Sequence, residues 1–307
     1  MPVAGQIIAD RYRLEHPLDS GGMGSVWVAV HLQLDSQVAI KFQHGAIRTP
    51  TVDARFRREA RAAALLRGAH VVHIYDYGFD GGVPFIAMEL LAGQSVSTRL
   101  TQGFTMSLRQ ATTVVRHASR ALDLAHARGI VHRDIKPSNL FIAEEAGSEV
   151  IKLLDFGIAK WIDGAAVGGA ITDSTMVLGS VAYMSPEQAC AETVDHRTDV
   201  WSLGVVAYQM VTGVSPFAGG SIPEILNRIV SGPWDLPSAV LGDGFAALDD
   251  LFTQVLQRNR ARRFQSAGEF SAAFMRVGAT LPRALLDVTS VRMGGANRRT
   301  AETRTIR

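Results

Sequence analysis

The sequence predicts an α+β chain of two lobes, a small β-rich one followed by a larger helical one, and three observations carry that prediction. Residues 11 to 43 alternate in short apolar runs around a glycine cluster, with Val26-Trp27-Val28-Ala29-Val30 and Val38-Ala39-Ile40-Lys41-Phe42 rich in strand formers. After Gly93 the apolar spacing becomes helical. The chain has 307 residues, 47% of them hydrophobic, which exceeds the usual size of one compact core.

The elements follow in order. Residues 11 to 43 read as antiparallel strands. From Val52 to Leu66 the composition shifts to Arg, Glu, Ala and Leu, with Phe56, Ala60, Ala63 and Ala64 at helical spacing, so a helix follows. Val71 to Phe79 and Val83 to Leu90 fit two more strands joined by Asp80-Gly81-Gly82. Ser107 is the expected N-cap of a helix that runs to about Arg128 and ends at Gly129. Further helices fit 198–212, 222–231, 244–257 and 266–277, separated by Gly and Pro. No repeat period is visible.

Composition narrows the function classes. The formal charge of +2 is nearly balanced, and no apolar run is long enough to span a bilayer. The N-terminus lacks a basic region followed by an apolar stretch, so no export signal is expected. A single cysteine, Cys190, excludes an intramolecular disulfide and a cysteine-based metal site, which fits a reducing cytoplasm; the thiol is expected to be packed. Residues 283 to 307 hold six arginines against Asp287 and Glu302, so residues 279–307 are expected to form a basic, disordered tail. As a solvated terminus it is not expected to bind nucleic acid.

Four residues in three separated fragments carry chemistry. They are Lys41 in Val-Ala-Ile-Lys, Asp134 and Asn139 in His-Arg-Asp-Ile-Lys-Pro-Ser-Asn, and Asp155 in Asp-Phe-Gly. A phosphate-binding cation, a base and two metal ligands are what transfer of a phosphoryl group from a metal-bound nucleotide requires. Each fragment alone is weak; surface charge in loops would explain any one of them. Together, in this order and at these spacings, they resemble the eukaryotic-like protein kinase signature.

Over residues about 10 to 278 the chain resembles the bacterial Hanks-type serine/threonine protein kinases. The resemblance implies a kinase domain at 1–278, with an N-lobe at about 10–90, a hinge at about 88–93 and a C-lobe at about 94–278. It implies ATP and Mg²⁺ as cofactors, with Mn²⁺ as the alternative ion. In Asp19-Ser20-Gly21-Gly22-Met23-Gly24-Ser25-Val26, Gly21, Gly22 and Gly24 would let main-chain N–H groups approach phosphate. Asp19 occupies the first position of the usual glycine pattern, which is expected to weaken nucleotide binding without abolishing it. Leu18, Val26 and Ala39 would line the nucleotide site, and Met88, Glu89 and Leu90 would form the hinge that meets adenine. Lys41 would neutralise phosphates and pair with Glu59 when the helix carrying it swings inward. Without that frame, Glu59 reads as a solvated charge beside Arg55.

By the same resemblance Asp134 is the base, Lys136 reaches the transferring phosphate, and Asn139 and Asp155 hold the metal. Lys136 in Asp-Ile-Lys-Pro-Ser-Asn is the serine/threonine form. Arg133 would order an activation segment phosphorylated at Thr172, Ser174 or Thr175. Ser180 would bridge Asp134 and Lys136. Glu187 in Ser-Pro-Glu would pair with Arg263, and Asp199 would brace the catalytic loop. His132 is expected to be a packed structural histidine. Protein substrates and self-association for trans-autophosphorylation follow as expected partners. A signalling scaffold without useful turnover and a small-molecule kinase are the competing readings; Asp19 favours the first, and the Ser-Pro-Glu segment disfavours the second.

Overall fold

Six antiparallel strands and one long helix make up the N-terminal part of the computed structural model, which describes residues 2–21, 24–43, 49–102, 105–156 and 179–287. The strands are β1 (Ile7–Ile8), β2 (Tyr12–Gly21), β3 (Gly24–His31), β4 (Ser36–Gln43), β5 (Ile74–Asp80) and β6 (Val83–Met88), in the order β1-β2-β3-β4-β6-β5. The β5–β6 turn has Gly81 and Gly82 at φ 52° and 85°, both left-handed, which suits a two-residue hairpin. Period two sorts the strands into faces. Ile40 and Phe42 join Tyr12, Leu14, Trp27, Phe85 and Ala87 in one buried cluster. Ala39 and Lys41 therefore lie on the opposite face.

Helix α1 (Pro50–Ala64) begins at Thr49, whose hydroxyl accepts a hydrogen bond from the Val52 amide at 3.2 Å. It buries Phe56, Ala60 and Ala63 and exposes its arginines. The Phe56 ring meets Phe79 and Tyr77 of β5 edge-on, at 5.2 and 6.4 Å.

The C-terminal part contains α2 (Val96–Thr101), α3 (Leu108–His126), α4 (Pro186–Ala189), α5 (Arg197–Thr212), α6 (Ile222–Val230), α7 (Pro237–Leu241), α8 (Asp249–Val255), α9 (Ala267–Thr280) and α10 (Arg283–Leu286). Ser107 caps α3 in a reciprocal capping box with Gln110. Helix α5 is buried almost all round, including Trp201 and Tyr208, and is the core element against which the others pack.

Four sequence expectations need correction. The region after Gly93 is not wholly helical: β7 (Gly93–Ser95), β8 (Leu140–Glu145) and β9 (Ser148–Leu153) form a second, three-stranded sheet. Strands this short carry too little alternation to stand out between helices. The helix expected over 244–257 is a 3₁₀ turn, Asp243–Leu248, that passes into α8. The expected tail starts too early, because α9 runs to Thr280 and Leu285 and Leu286 of α10 pack on the core, with Arg109 paired to Asp287 at 3.0 Å. Residues 288–307 lie outside the described residues. Cys190, finally, is an exposed free thiol at the end of α4. Among the described residues no helix is long and apolar enough to cross a membrane.

Candidate active site

Strand register assembles the first wall of the site. Ala39 lies opposite Val28 on β3 and opposite Met88 on β6, while Lys41 lies opposite Val26 and Ile86. Directly paired residues share a sheet face, so Val26, Ala39, Lys41 and Met88 present together. The β2–β3 hairpin closes with Gly21 opposite Gly24. A Cβ on Gly24 would sit 2.1 Å from the Phe42 carbonyl oxygen, so only glycine allows β4 to approach there. Leu18 and Asp19 are exposed at a register shift in β2, and Asp19 pairs with Val26. Gly22 and Met23 lie outside the described residues.

The second wall is the loop between α3 and β8. Asp199, fully buried on α5, accepts hydrogen bonds from the amides of His132 at 2.8 Å and Arg133 at 2.7 Å. His126, at the end of α3, meets the same carboxylate through Nε2 at 2.8 Å. Those bonds hold Arg133 at φ 64°, a left-handed conformation costly for a residue with a side chain. His132 is fully buried; its Nδ1 accepts from the Asp134 amide at 3.2 Å, so Nε2 is the donor to the Leu154 carbonyl at 2.8 Å. The Leu154 amide in turn donates to the Asn139 carbonyl at 2.9 Å.

Three side chains of this loop converge. Lys136 Nζ lies 3.0 Å from Asp134 Oδ2 and 3.4 Å from the Ser180 hydroxyl. Asn139 Nδ2 donates to the Asp134 carbonyl at 2.7 Å and to Asp134 Oδ2 at 3.1 Å. Both bonds use the amide nitrogen, which assigns Oδ1 as the Asn139 atom suited to a hard cation.

Asp155 joins the two walls. It sits at φ 54°, a second left-handed residue in the site, and its Oδ2 lies 2.5 Å from Lys41 Nζ. Phe156 is buried with its ring 5.0 Å from that of His132. A carboxylate and an amide oxygen at the ends of a mutually bonded loop and strand fit a divalent cation of the magnesium or manganese kind.

Glu59 stands apart from Lys41 in this arrangement. Its Oε2 is buried without a hydrogen-bond partner, and burial pushes the carboxyl up to about 7 against the pull of Arg58, Arg133 and Arg55. An unfolded glutamate titrates near the ordinary value of 4.5. The folded state therefore holds its proton more tightly, and stability falls as pH rises through that window. Glu59→Gln is expected to match wild type near pH 4 and to exceed it increasingly up to pH 8 in denaturant midpoint; a constant difference across that range would refute the assignment.

Scaffold contacts lie beneath the loop. Arg263 grips Glu187 with two bonds of 2.7 Å, both groups buried, and its guanidinium lies 4.9 Å from the Trp201 ring centroid. Burial alone would raise Glu187, but the hydrogen bonds and charge of Arg263 outweigh it and hold the carboxyl below its usual range. Gln188, in a capping box with Ser185, donates to the Arg133 carbonyl at 2.9 Å.

A family model described as "Protein kinase domain" matches residues 12–273. The chain belongs to the protein kinase family. It is 36% identical over 291 residues to the serine/threonine-protein kinase PknA of Mycobacterium tuberculosis, covering 92% of this chain and 65% of that protein. It is 37% identical over 277 residues to PknB of Mycolicibacterium smegmatis, covering 89% of this chain and 44% of that protein. The chain thus spans less than two thirds of the length of these relatives, and what it carries is a bacterial Hanks-type serine/threonine kinase domain. The kinase family uses ATP and a divalent metal.

Of the expected kinase residues, Lys41 and Asp155 meet across the two lobes, and Asp134, Lys136, Asn139 and Ser180 meet on the second wall. Glu187 and Arg263 pair, and Asp199 holds the loop. Glu59 is not among the partners of Lys41. Thr172, Ser174 and Thr175 lie outside the described residues. Sequence reasoning missed His126 and Gln188. The Ser-x-x-Gln spacing of a capping box was the available signal for Gln188; nothing in the spacing ties His126 to Asp199, 73 residues on.

Proposed function

We propose that this chain transfers the γ-phosphoryl group of Mg-ATP to serine or threonine hydroxyls of proteins. The observation that supports this best is the pairing of Lys41 with Asp155 across the two walls, next to a loop that presents Asp134, Lys136 and Asn139 together. Asp134 accepts the proton of the substrate hydroxyl as its oxygen bonds to the γ-phosphorus, and the bond to the β-bridging oxygen breaks with its electron pair leaving on ADP. Lys136 stabilises charge on the transferring group, and Lys41 orients the remaining phosphates. A metal ion held by Asn139 and Asp155 supplies neutralisation of phosphate charge when bound; we favour magnesium, with manganese as the alternative. Met88, Glu89 and Leu90 are assigned to adenine through the main chain, and Leu18, Val26 and Ala39 to its apolar faces. The Glu89 amide already donates to the His73 carbonyl at 2.9 Å, which leaves its own carbonyl for that contact.

The catalytic domain runs from the N-terminus to the end of α10, with lobes at 10–90 and 94–286 around the hinge at 88–93. Its setting is the cytoplasm and its partners are protein substrates, including a second copy of itself. Phosphorylation at Thr172, Ser174 or Thr175 orders the segment before Ser180 against Arg133 and raises activity. Asp19 weakens nucleotide binding without abolishing it, since an exposed carboxylate is largely screened. Incubating purified protein with labelled ATP and magnesium, then mapping the product, tests these assignments. Label on one of those three residues is the expected result. Label confined to a small metabolite would overturn the protein-kinase assignment, and nucleotide binding without any transfer would favour a signalling scaffold.

A further inference from the structure

Behind the hinge, Lys152 forms a buried junction that the phosphoryl-transfer reading leaves unused. Its neighbours on β9, Ile151 and Leu153, are core residues, so strand alternation turns Lys152 to the other face of the sheet. There its Nζ lies 2.9 and 3.1 Å from the two carboxylate oxygens of Glu89, and 2.9 Å from Glu145 at the end of β8. Glu89 is held a second time: its Oε1 accepts from the His73 amide at 2.7 Å while its own amide donates to the His73 carbonyl at 2.9 Å. The Lys152 side chain is only 10% exposed and that of Glu89 18%. Burial alone would lower the lysine, but the two carboxylates outweigh it and raise it. The junction ties together the segment before β5, the hinge and the second sheet.

We propose that Lys152 is a positioning residue for the nucleotide: by clamping Glu89 from behind, it holds the main chain of 88–90 in the arrangement that receives adenine. This rests on the reading of 88–90 as the adenine-contacting hinge. A clamp of this kind lowers the ordering cost of binding, because the main chain is immobilised before the ligand arrives. It acts on the adenine end alone and leaves the reacting phosphate to Lys41, Asp134 and Lys136.

The test is Lys152→Met, with Lys152→Arg as the conservative variant and Glu89→Gln as a second route that keeps the bond to His73 while removing the charge facing the lysine. KM for ATP is expected to rise about tenfold with kcat within about twofold. Competition by adenosine should weaken by a similar factor and competition by inorganic tripolyphosphate should not change. Lys152→Arg should recover most of the loss. Amide exchange at Glu89 should accelerate in Lys152→Met without nucleotide present. Unchanged exchange at Glu89, an unchanged KM, or a change confined to kcat would each overturn the proposal. A wild type that binds no nucleotide would remove the kinase reading instead, and exchange at Glu89 would then decide the clamp by itself. If Lys152→Met fails to fold, Glu89→Gln carries the same expected outcomes.

Discussion

Replacing Asp134 by asparagine is expected to lower phosphoryl transfer by about 10²–10⁴-fold, the range for losing a positioned general base. The protein should stay folded, because an asparagine keeps the shape of the side chain and still offers an oxygen to Lys136 Nζ and Asn139 Nδ2, now 3.0 and 3.1 Å from Asp134 Oδ2. What it cannot do is take a proton from a hydroxyl at neutral pH. The measurement is transfer of labelled γ-phosphate to a protein substrate, alongside thermal melting, with the melting point expected within about 2 °C of wild type. Turnover at the wild-type rate would mean that the proton leaves by another route and that Asp134 has no part in the reaction. A low rate accompanied by a collapse of the melting curve would assign Asp134 to the scaffold instead.

Arg263→Met is expected to be the most damaging single change to stability, at about 3–5 kcal/mol, because it strands a buried carboxylate. Arg263 is 2% exposed and Glu187 4%, so water cannot replace the lost partner. The arginine also donates to the carbonyls of Gln257, Arg197 and Arg258, three further acceptors that would be left without it. Adding Glu187→Leu to Arg263→Met should recover a substantial part of the loss, since an apolar pair of similar volume avoids the stranded charge. Equilibrium unfolding of the two single variants and the double variant measures this; a single-variant loss below about 1 kcal/mol would show that the pair is effectively solvated. The pH dependence has a definite sign. The folded carboxyl of Glu187 lies below its unfolded value, so its contribution is complete above the ordinary carboxylate range and is lost as pH falls through and beneath it.

Legibility from sequence followed the range of the physics involved. Strands β3, β4 and β6, the cap at Ser107 and the start of α9 at Ser266 rest on local patterns within a few residues, and the sequence carries those patterns openly. The loop from His132 to Asn139 was legible for a different reason: its eight residues resemble a known family motif, and the roles of base, lysine and amide came with that resemblance. The second sheet was not, since β7 has three residues and gains its order from Phe141, Ile142 and Ala143, some 46 to 50 positions away. The partner of Lys41 was not legible either. Glu59 and Asp155 are both carboxylates that one ammonium could reach, and the choice depends on the placement of α1 relative to the sheet rather than on either residue's identity. Glu59 instead keeps a buried oxygen without a hydrogen bond, a cost that no local pattern foretells.

The catalytic loop owes its shape to residues that come much later in the chain. The amides of His132 and Arg133 are held by Asp199 across separations of 67 and 66 residues, and the Glu187 pair closes over a further 76. Contacts of such range are slow to form, because loop-closure entropy is lost before they can offset it. A refolding chain can therefore form its β2–β3, β3–β4 and β5–β6 hairpins from near neighbours, but becomes able to catalyse only once β4 has paired with β6 and α5 and the segment carrying Arg263 have docked. Competence for chemistry is thus among the last properties the chain acquires, although the residues that perform it lie near its middle.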